Sequence, residues 1–359
     1  MSTKTILLDQ FTKCYDENGW FVATKNAIAG VTAEQADWKP AGADNSIREI
    51  INHLNYYNNA YLQRFKGIDY EYKIADNDES FDKGEAPAWE AEAARFDAIM
   101  TEWRDLLSHA KKSKLKEVAP PNNEMKWSRL LANINAHNAH HVLHGYYESG
   151  DPARALAFID PWLRGYSSSA LMWGHLNWHA ALAELELGHD EAVMRRLLGP
   201  ILDALPKGAP FMGLADVASL MWRLEAKATG LLPWDDAHRH ATTHFAKGSN
   251  AFGELHLAMI AAARRDGEGL DAAAVRLRAA GDRGNQGAIP ALHWALALRS
   301  LLDARAEEAA THFEQCEREL VRVGGSHAQR SVVAMTREAL ALPASSERGL
   351  RNPSRIPIQ

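Results

Sequence analysis

Residues 127–145 read WSRLLANINAHNAHHVLHG. Trp127, Leu130, Leu131, Ile134, His141 and Val142 recur at the 3.6-residue spacing of one helix face, so the stretch is an amphipathic helix. It carries His137, His140, His141 and His144. On a helical wheel His141 falls inside the apolar stripe, His137 at its edge and His140 furthest from it. His137 and His141 are four residues apart, so their rings stack on one face and can share a cation. A buried imidazole pair must satisfy a donor and an acceptor on each ring. Two arrangements do so: hydrogen bonding inside a helical bundle, or a bound metal with His53 as a third ligand from another helix.

Working back from that helix, the spacing predicts three more. Ile6 to Ala29 reads as a helix ended by Gly30, followed by a polar loop from Ala41 to Asn45. Ser46-Ile47-Arg48-Glu49 has the form of a capping box, in which Ser accepts from the first-turn amides and Glu reaches back. Ile47, Ile50, Ile51, Leu54, Tyr57, Tyr61 and Phe65 then follow at helical spacing. Asp76 to Ala88 is acidic, with Gly and Pro, and reads as a surface loop. Trp89 to Ala110 is a further long helix, and Pro120 to Asn123 another loop. Helices joined in this way make an up-down four-helix bundle.

Working forward, the composition changes. Up to Gly145 there are twelve Lys and five Arg; beyond it there are three Lys and twenty Arg. Ala and Leu become dense over the same boundary. The shift divides the chain into residues 1–148, 149–345 and a tail, 346–359, with Pro353 and Pro357, that reads as disordered. In the second part Gly150-Asp151 is echoed 38 residues later by Gly188-His189-Asp190, near the period of tetratricopeptide hairpins, and Ala304 to Phe313 has the same helix-start character. Hairpins of this kind bury their faces only by stacking, which predicts a helical-hairpin solenoid. Pro206, Pro210, Pro233 and Pro290 mark expected breaks between helices. The fold class is therefore all-α.

His175 and His179 form another i, i+4 pair, and with Asp216 and His256 they make a candidate polar cluster, either a metal or acid–base site or a set of hydrogen bonds between stacked helices. Trp162, Trp173, Trp178, Trp222 and Trp294 are read as inter-helix packing.

Charge and cysteine content narrow the function. A net charge of -6 and a pI near 6.2 argue against nucleic-acid binding, which needs a basic face. The basic run Lys111, Lys112, Lys114 and Lys116 reads as a solvated helix end. Cys14 and Cys316 are far apart, which fits a reducing compartment rather than a disulfide framework. Asp9, Lys13, Asp16 and Glu17 interrupt the N-terminal segment where a signal peptide would be apolar, and no window has the apolar length of a membrane span. A soluble cytoplasmic protein is expected, with no membrane or nucleic-acid partner.

Gly19-Trp20-Phe21, Ala27, Ser46 to Leu54 and Ala136-His137-Asn138-Ala139-His140-His141 together resemble the DinB-like (YfiT-type) family over residues 5 to 145. The resemblance implies a divalent metal between one histidine of the second bundle helix and an i, i+4 pair of the last, here His53, His137 and His141. Three imidazoles leave coordination positions open, as catalytic rather than closed structural sites do. Zinc, nickel, cobalt and manganese all suit such ligands. Family members include thiol S-transferases and proteins proposed as metal-dependent hydrolases, so a thiol or other small-molecule substrate is implied, and paired bundles are common among them. The family usually continues with Gly-Gln where this chain has Leu143 and His144.

His175-Leu176-Asn177-Trp178-His179, Ala215 to Leu224 and Gly324 to Arg330 resemble the tetratricopeptide repeat protein 38 family, with a weaker match at Phe252 to His256 and Ser331 in place of an Asp. That resemblance covers residues 137 to 342, the C-terminal portion of the family. It implies a protein or peptide partner held by the helical repeats, and it carries its own i, i+4 pair at His140 and His144. The two functional expectations are a metal-dependent transferase or hydrolase with a fused repeat module, and a non-enzymatic interaction scaffold with a structural metal.

Overall fold

The computed structural model describes residues 2–17, 23–39, 45–71, 73–74, 78–81, 88–120, 125–148, 150–226 and 232–341. The Gly19-Trp20-Phe21 stretch, the predicted loops at 41–44 and 121–123, most of the acidic stretch 76–88 and the tail from 346 lie outside them. Among the described residues the fold is all-helical, with one isolated bridge, Val118 to Lys126. The chain divides into two compact units, Met1–Met172 and Trp173–Gln359.

The first unit holds α1 (Thr3–Tyr15), α2 (Ile47–Phe65), α3 (Trp89–His109), α4 (Trp127–Glu148) and α5 (Pro152–Gly165). Helix α1 packs on α3 and α4, and α2 packs on α3 and α4, which closes a four-helix bundle. Its core is Leu7, Phe11 and Tyr15 from α1, Ile51, Leu54, Leu62 and Phe65 from α2, Phe96, Met100 and Trp103 from α3, and Trp127, Leu131 and Ile134 from α4. The capping box forms in full: Glu49 N–H donates to Ser46 Oγ (3.3 Å) and Ser46 N–H to Glu49 Oε2 (2.8 Å). Ile47 keeps the helical spacing but is exposed, because it stands in the first turn outside the core.

The first predicted helix is shorter than its pattern. It stops at Tyr15, and a separate turn of helix runs Thr24–Ala27. Asp16 is the reason: its carboxylate pairs with Arg104 (2.6 Å) and its carbonyl accepts from Asn26 Nδ2 (2.9 Å). These bonds hold the chain out of helical geometry, at φ −137°. A second capping box, Thr32 with Gln35, starts the short helix Ala33–Asp37. Helix α5, read from sequence as the start of the second part, belongs to the first compact unit and packs on α4, with Tyr146 and Phe158 rings 6.1 Å apart.

The second unit contains α6 (Trp173–Glu186), α7 (Asp190–Arg196), α8 (Pro210–Ala226), α9 (Trp234–Phe245), α10 (Ala251–Ala263), α11 (Gly267–Asp282), α12 (Ala288–Leu302), α13 (Ala306–Arg318) and α14 (Val332–Ala341). Helices α6, α8, α10 and α12 form a row in which each packs on the next, and α7, α9, α11 and α13 each fold back on the helix before them. The sequence explains the two layers. The row helices are apolar on nearly every side, as in α6, where residues from Gly174 to Leu185 are buried. The outer helices are amphipathic; α13 buries Ala309, Phe313 and Cys316 and exposes its charged face.

The echo of Gly150 at Gly188 is a repeated helix ending. Each sits at positive φ (65° and 75°) just past a helix, where glycine avoids the Cβ penalty. The following amide bonds back across the turn, Asp151 N to Tyr146 O (3.0 Å) and His189 N to Glu184 O (2.8 Å). Arg265 and Ala304 close α10 and α12 in the same way, at φ 57°. Pro290 stands in the first turn of α12, not at a break, a position that tolerates proline because its missing N–H would be unpaired there. Trp178, Trp222 and Trp294 are buried between row helices; the Trp222 and Trp294 rings lie 6.0 Å apart. Arg223 ties two of the quoted stretches together, donating to the carbonyls of Ser219 (3.0 Å) and Ala328 and to Ser331 Oγ (2.9 Å). Among the described residues no helix is long and apolar enough to cross a membrane.

Candidate metal centre

Helix α2 places His53 and helix α4 places His137 and His141 so that their ligand atoms gather at one point. His53 Nε2 lies 3.1 Å from His137 Nε2, and His141 Nε2 lies 3.2 Å from His137 Nε2. The three ligand nitrogens all lie within 4.8 Å of one another. Two nitrogens bound at about 2.0–2.1 Å to one tetrahedral ion stand roughly 3.3 Å apart. The spacing therefore fits a shared divalent ion.

The surroundings set the chemical state of the rings. His53 is buried, and its Nδ1 meets Ser80 Oγ at 2.6 Å. With the Nδ1 proton on that bond, Nε2 presents its lone pair toward the other two rings, the tautomer a metal ligand requires. Phe81 stacks on the His53 ring at 4.1 Å and 11°, and Tyr57 meets it edge-on at 5.0 Å. Burial, helped by the neighbouring His137, pushes His53 down to about 2. Burial pushes His137 down to about 4. Both rings are neutral near pH 7, and only the neutral ring ligates a cation.

Ser80 and Phe81 are the site residues that sequence reasoning missed. They fall in the acidic stretch read as a surface loop, yet Ser80 is 1 % and Phe81 8 % exposed. A one-turn helix, Asp78–Phe81, carries them under α2, fastened by Asn52 Nδ2 donating to the Ser80 carbonyl (3.2 Å). The one available signal was a lone Phe in an otherwise charged run. A second missed feature is a pair of buried amides: Asn58 Nδ2 donates to Asn138 Oδ1 (3.1 Å), pinning α2 to α4 one residue from His137. Trp103 Nε1 donates to the Asn58 carbonyl (2.9 Å), so three helices are tied at this level.

A cleft of about 440 Å³ in the first unit reaches His137. Tyr57, Tyr61, Leu130, Ile134 and Met172 give it mostly apolar walls, and Arg64, Asn58 and Asn133 add polar groups. The volume and lining are those of a small-molecule site.

Of the other predicted site residues, His140 and His144 stand in the first unit and His175, His179, Asp216 and His256 in the second. His140 and His144, on the next face of α4, bring their Nε2 atoms to 2.7 Å. In the second unit, His175 Nδ1 meets Asp216 Oδ1 at 2.9 Å, and the His179 ring stands edge-on to His175 at 4.8 Å. His256 does not join them: its Nδ1 donates to the Phe252 carbonyl of its own helix (2.8 Å) and its ring packs on that phenylalanine. Neither cysteine is a poised nucleophile, since burial pushes the Cys14 and Cys316 thiols up to about 12.

Residues 22–144 match the DinB superfamily. No curated protein and no solved structure matches the chain.

Proposed function

We propose that this chain is a divalent-metal-dependent enzyme of the DinB-like type, with His53, His137 and His141 as the metal ligands and a transferase or hydrolase reaction in the adjoining cleft. The observation that carries this reading is the convergence of three imidazole Nε2 atoms, two of them, on His53 and His137, kept neutral by burial, with His137 lining a largely apolar cleft. A bound zinc, nickel, cobalt or manganese ion would supply Lewis-acid chemistry, lowering the pKa of a water or holding a thiolate.

The chain's own residues do the rest. Ser80 orients His53, Phe81 and Tyr57 keep its ring dry, and the Asn58–Asn138 pair fixes the distance between the ligand helices. The tyrosines and aliphatic side chains of the cleft would hold an apolar substrate body while Asn133 fixes its polar end. Because both cysteine thiols are buried and unreactive, a thiol in such a reaction comes from the substrate side and not from the protein.

The layered helix pairs of the second unit favour a second role alongside the first. A tetratricopeptide-like array formed by those pairs would offer a surface for a protein or peptide, and in a purely scaffolding reading the metal would only brace the bundle. A cytoplasmic location and small-molecule or thiol substrates belong to the same proposal.

Elemental analysis of the tag-free protein beside a His137→Ala, His141→Ala variant tests the site. About one equivalent of a transition metal, lost in the variant, supports the reading, and thiol-transfer and hydrolase assays follow. A metal-free parent after reconstitution sinks it.

A further inference from the structure

The second unit carries a buried histidine–carboxylate arrangement that the proposed enzyme site does not use. Helix α6 supplies His175 and His179, 6 % and 4 % exposed, and α8 supplies Asp216, 2 % exposed. Both carboxylate oxygens face His175 Nδ1, at 2.9 and 3.0 Å. Trp178 stacks parallel to the His175 ring at 5.4 Å and 9°, and its indole N–H donates to Ser219 Oγ (3.1 Å) on α8. The imidazole is therefore held by a carboxylate at one nitrogen and by an aromatic face along its plane.

That geometry fixes chemistry at the other nitrogen. A carboxylate on Nδ1 keeps the proton there, so Nε2 carries the lone pair. His179 stands one turn on, its ring edge-on to His175 at 4.8 Å, close to the 4.6 Å between the His137 and His141 rings. A carboxylate backing one histidine of an i, i+4 pair is the outer arrangement of many metal sites, where it orients the ring and raises its basicity. The charge balance points the same way. Asp216 is a buried carboxylate, and a divalent ion on the far side of the imidazole would offset its charge.

We propose that His175 and His179 form a second divalent transition-metal site, with Asp216 as the positioning residue and with zinc- or cobalt-like ions preferred by the all-imidazole donors. It uses none of the three ligands proposed for the bundle site.

Cobalt(II) binding to the full chain tests this, by equilibrium dialysis and by the visible d–d absorption of the bound ion. The parent is expected to bind two equivalents. His137→Ala, His141→Ala keeps one, and His175→Ala, His179→Ala loses that one while retaining the bundle's. Asp216→Asn keeps the fold and weakens the second equivalent about 10- to 100-fold, with a changed cobalt spectrum. Circular dichroism accompanies each variant, and His179→Gln stands in if the double variant does not fold. A parent that binds one equivalent, lost with His137 and His141, overturns the second site and leaves the bundle reading standing. One equivalent that instead follows His175 and His179 overturns the bundle reading and supports this one.

Discussion

His53 and His137 stand 84 positions apart in sequence on different helices, and their Nε2 atoms meet at 3.1 Å. Two neutral rings so close can share one proton, or both can face a cation, but both cannot be protonated without repulsion in a buried place. In the unfolded chain each takes up a proton near 6.5, and in the folded protein only near 2 for His53 and 4 for His137. Between the folded and unfolded values the unfolded state binds more protons. Stability is therefore fully present above about pH 6.5 and is lost as pH falls toward the folded values. Metal-free protein should show a falling melting temperature from pH 6.5 to 4, with His137 contributing at most about 3 kcal/mol. A His137→Gln variant should flatten that profile. A melting temperature constant across the range would contradict the assignment.

Ser80 holds the far nitrogen of His53. Ser80→Ala should leave helical content unchanged and weaken metal binding at the bundle site by about 10- to 100-fold, read by competition with a chromogenic chelator. Unchanged affinity would mean that the hydroxyl does not orient the ring.

Ser46 caps α2, the helix that delivers His53. Ser46→Ala should cost about 1 kcal/mol in chemical denaturation of the bundle. Ser46→Asp, which can accept the same amide bond, should restore most of it. Loss of stability in both variants would point to a packing role for the side chain instead.

Gly287 and Gly188 make a contrasting pair. A Cβ on Gly287 would stand 2.3 Å from the Arg322 carbonyl oxygen, which is backbone and cannot swing aside. Gly287→Ala should destabilise the second unit by about 2 kcal/mol, although its φ of −69° suits alanine. Gly188→Ala meets nothing within 4 Å and pays only for its positive φ, so a loss of about 1 kcal/mol, the low end for one left-handed residue, is expected. Thermal melts of the two variants should separate by several degrees; equal melts would remove the steric argument.

Helix-period patterning made α2, α3 and α4 legible, and the capping box fixed where α2 begins. The same rule overran at α1, because bonds from Arg104 and Asn26 to Asp16 are made by residues far along the chain or beyond a turn, and periodicity carries no trace of them. The echo of Gly150 at Gly188 was visible as a repeat, yet Arg265 and Ala304 close equivalent turns without glycine, so the rest of that pattern was hidden by residue type.

The sequence by itself determined an all-helical chain, the i, i+4 histidine pairs on α4 and α6, and, through resemblance, His53 as the partner of His137 and His141. Local geometry is enough for the pairs, because residues four apart on a helix share a face whatever surrounds them; His53 came only from the family resemblance. Only the tertiary structure brought Ser80 and Phe81 from a charged run onto the His53 ring, joined Asn58 to Asn138, paired His175 with Asp216 and turned His256 back to its own helix. Those relations depend on which faces of separate helices are pressed together. Burial then sets the protonation of the rings, and burial is a property of the packed chain and not of any residue's neighbours in sequence.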